Sequence, residues 1–425
     1  MWVGIDDTDS LEGGCTTYVV VELIKEMPYD LIGFPRLVRL NPNIPWKTRG
    51  NGAVALRVGI GKGEKFEIGR INNKKIYCYS SIKKDVNPKE IFKIVKKVLI
   101  ENSMEEADPS FVISKKKLPY WIYKKGVRGI LKREEVENEL RNAIYYYYKK
   151  GRGILGASAA IAWKPKDRTY ELITYTYEKK WIDKESVIKM DKICKSTFNN
   201  YDYENDYIAI FPKANSPVFF GIRGDDWVEL KKAMKLIKSS PYNKWIIFET
   251  NQATDEHLQR KKKIKDIRPY ESVIVKGVVK KEPRNIKGGH VIFSIYDGNE
   301  IDCAAYEPTK QFRNIIRQLK QGDKVIVYGG VRKKPFTINL EKIEIKKLID
   351  VYEKIENPIC KNCKKHMKSM GKGKGYRCPK CGARAKKAKY AKIERKIKEG
   401  LYEVPIIAMR HLAKPIKRMK ENCLP

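Results

Sequence analysis

Gly4-Ile5-Asp6-Asp7-Thr8-Asp9-Ser10, followed after two residues by Gly13-Gly14-Cys15-Thr16-Thr17, opens the chain's first α/β unit. The apolar run at residues 2–5 predicts a strand, and residues 16–25 predict the start of a helix. The strand thus delivers three carboxylates into a loop, and two glycines lead from that loop into a helix whose first residues are threonines. Hard carboxylate oxygens suit Mg²⁺, which keeps waters and bridges nucleotide phosphates. Small residues at a helix start leave backbone N–H groups open to a phosphate. Asp6, Asp7 and Asp9 are therefore candidate magnesium ligands, and Thr8, Gly13, Gly14 and Thr17 candidate nucleotide contacts. The hydroxyls of Thr16 and Thr17 suit contact with, or acceptance of, a phosphoryl group. Turn and cap chemistry alone favours the same residue types. Cys15 reads as a buried thiol, with no histidine near it in sequence.

Working outward, residues 37–40 and 53–60 read as strands separated by a polar loop at 41–52, and residues 88–100 as an amphipathic helix. Gly59-Ile60-Gly61-Lys62-Gly63 lacks phosphate-loop spacing and reads as a hairpin turn. Residues 105–110 look like a boundary loop. A second α/β region places strands at 170–177, 207–211, 217–222 and 245–248 and a helix at 225–237, a βαβ-type sandwich. After a basic linker at 260–268, strands at 273–279, 291–296 and 301–306, a helix at 310–320, and strands at 324–329 and 336–345 follow in the order of an OB-fold. The expected fold is multidomain α+β, with units at 1–117, 118–262, 270–349 and 356–425.

The last unit carries Cys360-x2-Cys363 and Cys378-x2-Cys381, two knuckles whose spacing places four thiolates around a structural Zn²⁺. His366 between them reads as a surface histidine. Lys and Arg total 89 against 51 Asp and Glu, a net charge of +38 that implies a polyanionic partner. Around the ribbon, Lys386, Lys387, Lys389 and Lys392 are candidate phosphate contacts. No apolar run nears the ~18 residues of a membrane span, the first residues are unlike a signal peptide, and the cysteine usage suits a reducing cytosol, so a cytoplasmic protein is expected. The oligomeric state is not legible.

Three polar loops leave strand ends. Residues 41–52 hold Trp46, Lys47 and Arg49, suited to stack on and clamp a base. Gly221-Ile222-Arg223-Gly224 ends a strand with a cation, Arg223, a further nucleotide-contact candidate. Thr250-Asn251-Gln252-Ala253-Thr254-Asp255-Glu256-His257 offers donors and acceptors in Asn251, Gln252, Thr254, Asp255 and His257.

Taken together, residues 4–10, 41–52, 216–224 and 250–257, in this order and with the OB-fold and ribbon behind them, resemble the archaeal family of isoleucine-tRNA 2-agmatinylcytidine synthetases. The resemblance covers essentially the whole chain. It implies a kinase-like ATP-binding N-terminal domain, a ferredoxin-like domain, an OB-fold and a zinc ribbon. The implied activity joins agmatine to the wobble cytidine (position 34) of the minor isoleucine tRNA with a CAU anticodon, converting ATP to AMP, so that AUA is read as isoleucine. Thr16 matches the family's autophosphorylated threonine, and Asp6, Asp7 and Asp9 its acidic metal and phosphate ligands. Trp46, Lys47, Arg49, Asn251, Gln252, Thr254, Asp255 and His257 would face tRNA or agmatine, with Asp225, Asp255 or Glu249 as partners for the guanidinium. A non-catalytic RNA- or single-stranded-DNA-binding protein would use the same OB-fold, ribbon and charge, but it needs neither the aspartate triplet nor Gly13-Gly14-Cys15-Thr16.

Overall fold

The continuous apolar run from Trp2 to Ile5, buried on both faces, builds β1 (Trp2–Asp6), and α1 (Thr16–Glu26) follows. The computed structural model describes residues 1–48, 50–212, 215–371 and 373–421. Next come β2 (Asp30–Ile32), β3 (Arg36–Arg39), β4 (Gly52–Ile71), β5 (Lys74–Lys84), α2 (Pro88–Asn102) and β6 (Ser110–Ser114). They are followed by α3 (Tyr120–Arg128), α4 (Arg133–Glu139), β7 (Ile144–Tyr147) and α5 (Gly153–Ala162). Then come β8 (Thr169–Tyr175), α6 (Lys184–Ile193), β9 (Thr197–Phe198), the hairpin β10 (Tyr201–Asp202) and β11 (Tyr207–Ile208), β12 (Val218–Gly224), α7 (Trp227–Leu236) and β13 (Lys244–Thr250).

Among the described residues these strands, β10 and β11 apart, form one sheet of eleven strands ordered β7-β6-β1-β4-β3-β13-β8-β12-β9, with β2 and β5 paired to β4. The two expected α/β regions are thus continuous. Strand β13 lies parallel to β3 and antiparallel to both β8 and the end of β4. Gly69 permits the junction, since a Cβ there would lie 2.7 Å from the Trp245 carbonyl oxygen. The break expected at 105–110 instead leads into β6, which pairs with β1 on one side and β7 on the other. Residues past 117 therefore belong to the first region, because β7 covers an edge that β6 would otherwise leave open.

Side chains alternate across the sheet. Val3, Ile5, Val54 and Leu56 pack under α1 and α2, while Trp2, Ala53, Ala55 and Val112 pack under α3 and α5. Helix α5, built largely of Gly and Ala, lies close against β1: a Cβ on Gly4 would fall 2.2 Å from the Ala157 carbonyl oxygen. Helices α6 and α7 cover β8 and β12 around Phe219, Phe220 and Leu230. Gly59 to Gly63 are not a hairpin turn. They lie within β4, whose pairing with β5 is irregular around them, and the chain reverses at Asn72 with φ 52°. The strand expected at 207–211 shrinks to β11.

The remaining elements are β14 (Leu258–Arg260), β15 (Ser272–Ile286), β16 (His290–Tyr296), β17 (Glu300–Ala305), α8 (Phe312–Ile316), β18 (Lys324–Val331) and β19 (Thr337–Lys347). Strands β15, β16 and β17 pair in turn, β17 lies parallel to β19, and β18 pairs with both β19 and β15, which closes a barrel. The expected long helix at 310–320 is the short α8. Beyond the barrel, β20 (Val351–Glu356) pairs with β24 (Lys389–Ile393), and β21 (Lys368–Ser369), β22 (Tyr376–Arg377) and β23 (Arg384–Ala385) form the ribbon. The chain then returns: β25 (Gly400–Glu403) joins β19, and α9 (Ile416–Glu421) ends the described residues. Residues 400–421 are therefore not a loose tail of the ribbon. Arg418 forms ion pairs with Asp167 and Asp225 of the α/β body, and Lys414 bonds Asp167 at 2.9 Å. Among the described residues no helix is long and apolar enough to cross a membrane.

Candidate active site

At the end of β1 the chain turns sharply. Asp6 closes the strand, and Asp7 adopts φ 61°, a left-handed conformation that aspartate tolerates better than most side chains. Asp6, Asp7 and Asp9 all line one cleft of about 940 Å³. The Asp6 carboxylate accepts the Asp7 N–H at 2.8 Å. Burial, together with the charges of Asp7 and Asp9, holds the Asp6 carboxyl well above its ordinary range. Burial, Asp108 and Asp9 push Asp7 up to about 6, with Arg152 opposing. Carboxylates crowded until they resist ionisation form a donor set that a hard divalent cation relieves.

Thr16 and Thr17 form the first turn of α1 and line the same cleft. The Thr8 hydroxyl donates to Thr16 Oγ1 at 3.1 Å from beneath, so Thr8 positions the hydroxyl rather than lining the cleft itself. Cys15 caps the helix by backbone alone, and its Sγ lies 3.0 Å from Thr17 Oγ1. Gly14 lines the cleft at φ 80°, and Gly13 holds the loop closed by accepting the Ser10 N–H at 2.9 Å. Trp46, Lys47 and Arg223 join the cleft from two other strand ends; Arg49 lies outside the described residues.

The polar cluster after β13, expected at the substrate, is turned into the protein instead. Asn251 is buried and clamps the backbone of Arg39, accepting its N–H at 2.7 Å and donating to its carbonyl at 2.8 Å. Gln252 is buried and donates to Glu171. Thr254 bonds the Asn251 carbonyl, Asp255 pairs with Lys342 of the barrel, and His257 meets Glu341 at 2.9 Å with neither side chain exposed. Asp255 and His257 join the α/β body to the barrel, Asn251, Gln252 and Thr254 brace the α/β body itself, and none of the five lines the cleft. Their density in sequence reflects an internal junction, where buried polar groups must be paired. Asp225 and Glu249 are likewise engaged, by Arg418 and by Arg36 and Arg168.

Sequence reasoning missed four contributors. Gly151-Arg152-Gly153-Ile154-Leu155-Gly156 runs from the loop after β7 into the first turn of α5, a G-x-G-x-x-G spacing legible in the chain. The Asp108 carboxylate accepts the N–H groups of Lys149, Lys150 and Gly151 at 2.6, 2.8 and 2.7 Å and so fixes that loop beside the aspartates. Glu171 also lines the cleft, whereas Asp225, Asp255 and Glu249 do not. His411 reaches the cleft from the far end of the chain, for which no local signal exists.

At the ribbon, the four Sγ atoms of Cys360, Cys363, Cys378 and Cys381 lie within 4.8 Å of one another, and Cys360 and Cys381 are 3.5 Å apart. Four thiolates about 2.3 Å from one Zn²⁺ have sulfurs about 3.8 Å apart, so the cluster fits a closed tetrahedral site. Backbone N–H groups of Cys381 and Lys380 lower the Cys378 thiol to about 6. His366 is exposed and outside the cluster. Lys386 and Lys387 are exposed beside the ribbon, while Lys389 and Lys392 of β24 pair with Glu356 at 3.1 Å and Asp350 at 2.8 Å.

These features define a multidomain α+β protein with an acidic cleft at a strand end and a zinc-ribbon cysteine cluster. Family descriptions match in the same order: the TiaS TCKD domain over residues 2–151, the TiaS FLD domain over 151–257, and the TiaS C-terminal zinc ribbon domain over 357–397. The isoleucine-tRNA 2-agmatinylcytidine synthetase TiaS of Methanocaldococcus jannaschii is 43% identical, across 98% of each chain. The crystal structure of a TiaS–tRNA–ATP complex superposes with a TM-score of 0.84 at 39% identity, covering 98% of this chain and 97% of that one. A TiaS–tRNA–AMPCPP–agmatine complex does so with 0.81 at 37%, with the same coverage. The chain belongs to the TiaS family.

Proposed function

We propose that this chain joins agmatine to the wobble cytidine of the isoleucine tRNA with a CAU anticodon, using ATP, which becomes AMP. The observation that carries this reading is the convergence of Asp6, Asp7, Asp9 and Thr16 on one cleft, in a chain related over its full length to synthetases of that activity. The carbonyl oxygen at C2 of cytosine is a poor leaving group. Of the two phosphoryl groups that ATP gives up in becoming AMP, one is placed on this oxygen, which departs as phosphate when the agmatine amine attacks C2 and loses a proton. The other passes to the Thr16 hydroxyl and leaves as phosphate on hydrolysis. The base must leave its stack to reach such a site, and Trp46, 47% exposed at the cleft, offers a stacking face.

Asp6, Asp7 and Asp9 are the residues to hold Mg²⁺, which supplies neutralisation of phosphate charge when bound. Thr16 is the hydroxyl to accept a phosphoryl group, oriented by Thr8. Arg152 and the backbone at the start of α5 add positive potential to the same cleft. The N-terminal sheet region serves as the kinase-like unit, and the strands around β8 and β12 as the ferredoxin-like one. The barrel has the strand order of an OB-fold, and the ribbon carries Zn²⁺. The charge of +38 then serves tRNA, and the cytoplasm is the compartment that fits. Mass spectrometry of the tRNA after incubation with labelled agmatine, ATP and Mg²⁺ tests the reading. Incorporation at position 34 supports it; ATP use indifferent to agmatine, or tRNA binding with no product, refutes it.

A further inference from the structure

One wall of the cleft is basic. Arg39, Lys47 and Arg223 line it, against the carboxylate of Glu171. Glu171 is already occupied, accepting from Arg223 Nε at 3.3 Å and from the Gln252 amide. His411 enters this wall on the returning C-terminal segment, a strap held by its backbone. The Ala253 N–H donates to the His411 carbonyl at 2.7 Å and the Asp255 N–H to the Leu412 carbonyl at 2.8 Å. The Lys414 N–H donates to Asp255 at 2.7 Å, and Arg418 anchors the far end.

The imidazole stands beside Arg39. A Cβ built on Gly50 would come within 3.2 Å of Arg39 Nη1 and 3.4 Å of His411 Nε2, so both groups flank one point at the cleft. Arg39 Nε and His411 Nδ1 are buried with no partner among the described residues. Arg39, burial, Arg223 and Lys47 hold the His411 imidazole well below its ordinary range, hence neutral. Arg39 Nη1 donates to the Gly50 carbonyl at 2.9 Å and Arg223 Nε to Glu171, which leaves Arg39 Nε and His411 Nδ1 as polar atoms kept out of water, costly unless a ligand meets them. The planar fork of a guanidinium matches a phosphate group, and an imidazole N–H adds a third donor from another direction.

We propose that Arg39, Arg223 and His411 form a phosphate subsite in the cleft, completed by the C-terminal strap. This rests on the reading of the cleft as the place where ATP and tRNA react. The phosphate comes either from the nucleoside triphosphate or from the RNA backbone beside the reacting base, and the two sources separate by experiment.

The test uses full-length Arg39→Gln, Arg223→Gln and His411→Asn, each checked by thermal melting, with KM for ATP and for tRNA measured separately. His411→Asn keeps the strap's backbone anchors. Each variant is expected to raise one KM by about tenfold, the loss of one charge-assisted hydrogen bond, with kcat changed much less. A raised KM for tRNA, with the slope of log affinity against log salt reduced by about 0.7–0.9 in Arg39→Gln and Arg223→Gln, assigns an RNA phosphodiester. A raised KM for ATP with that slope unchanged assigns the triphosphate. Both KM values unchanged in folded variants, even with a lowered melting temperature, overturn the subsite and leave the strap a structural brace. Asp7→Asn is run in parallel: wild-type conjugation by that variant overturns the reading of the cleft itself, whereas its inactivity beside unaltered subsite variants overturns the subsite alone.

Discussion

Replacing Gly156 with alanine puts a methyl group where α5 crosses the end of β1. A Cβ at that position would lie 1.8 Å from Asp6 Oδ2 and 2.7 Å from Asp6 Cγ, well inside contact distance. The backbone of α5 cannot retreat, because Gly4 already lets the Ala157 carbonyl sit where a β1 side chain would be. The yielding group is therefore the Asp6 carboxylate, which must rotate out of its place beside Asp7 and Asp9. Overpacking of this kind costs about 1–3 kcal/mol of stability, which a domain of this size tolerates. Displacing a charge-bearing group by an ångström or more costs about 10²-fold in rate. Gly156→Ala is thus expected to fold, bind tRNA and lose roughly a hundredfold in agmatine conjugation, with a raised requirement for Mg²⁺. Gly4→Ala is the contrasting variant: its Cβ meets backbone oxygen at 2.2 Å, and the loss there should be of folding. Conjugation rate, filter binding of tRNA and thermal melting measure the three quantities. Gly156→Ala turning over at the wild-type rate would refute the placement of Asp6 in the reaction.

Asp7→Asn and Thr16→Val should each abolish turnover while leaving melting and tRNA binding near wild type, and labelled ATP should mark the wild-type protein at Thr16 but not the Thr16→Val protein. Cys378→Ser should release zinc and weaken tRNA binding while ATP binding persists, read by metal analysis and equilibrium binding; unchanged tRNA affinity in zinc-free protein would count against it. Neutralising Lys386, Lys387, Lys389 and Lys392 together should reduce the salt slope of tRNA binding by about one to two rather than four, because Glu356 and Asp350 already pair with two of them. Burial works against ionisation of Glu341, but His257, Arg410 and Lys342 prevail and hold it at about 2 against an ordinary 4.5. Its contribution to stability is therefore complete above pH 4.5 and lost as pH falls towards 2, up to about 3 kcal/mol, and Glu341→Gln should flatten the urea midpoint over that range.

Sequence by itself determined the elements whose signals are local. The apolar run of β1, the threonine-led start of α1, the apolar face of α2 and the strand sequence of the barrel were legible because side-chain periodicity and turn residues act within a few positions. The paired cysteine knuckles were legible for the same reason, since metal geometry dictates short spacings. Tertiary structure alone decided that the two α/β regions share one sheet, because β13 pairs with β3 across more than 200 residues and with the end of β4 at a glycine, Gly69, that has no local signature. It also decided the fate of polar residues. Asn251, Gln252 and His257 have the same composition as a ligand loop, and only burial against Arg39, Glu171 and Glu341 shows that their hydrogen bonds are spent inside the protein. The converse holds for Glu171 and His411, which stand 240 positions apart in ordinary sequence contexts and meet at the cleft. A polar side chain acts on a ligand only when the fold leaves it facing one, and the direction a side chain faces is a property of packing between distant segments.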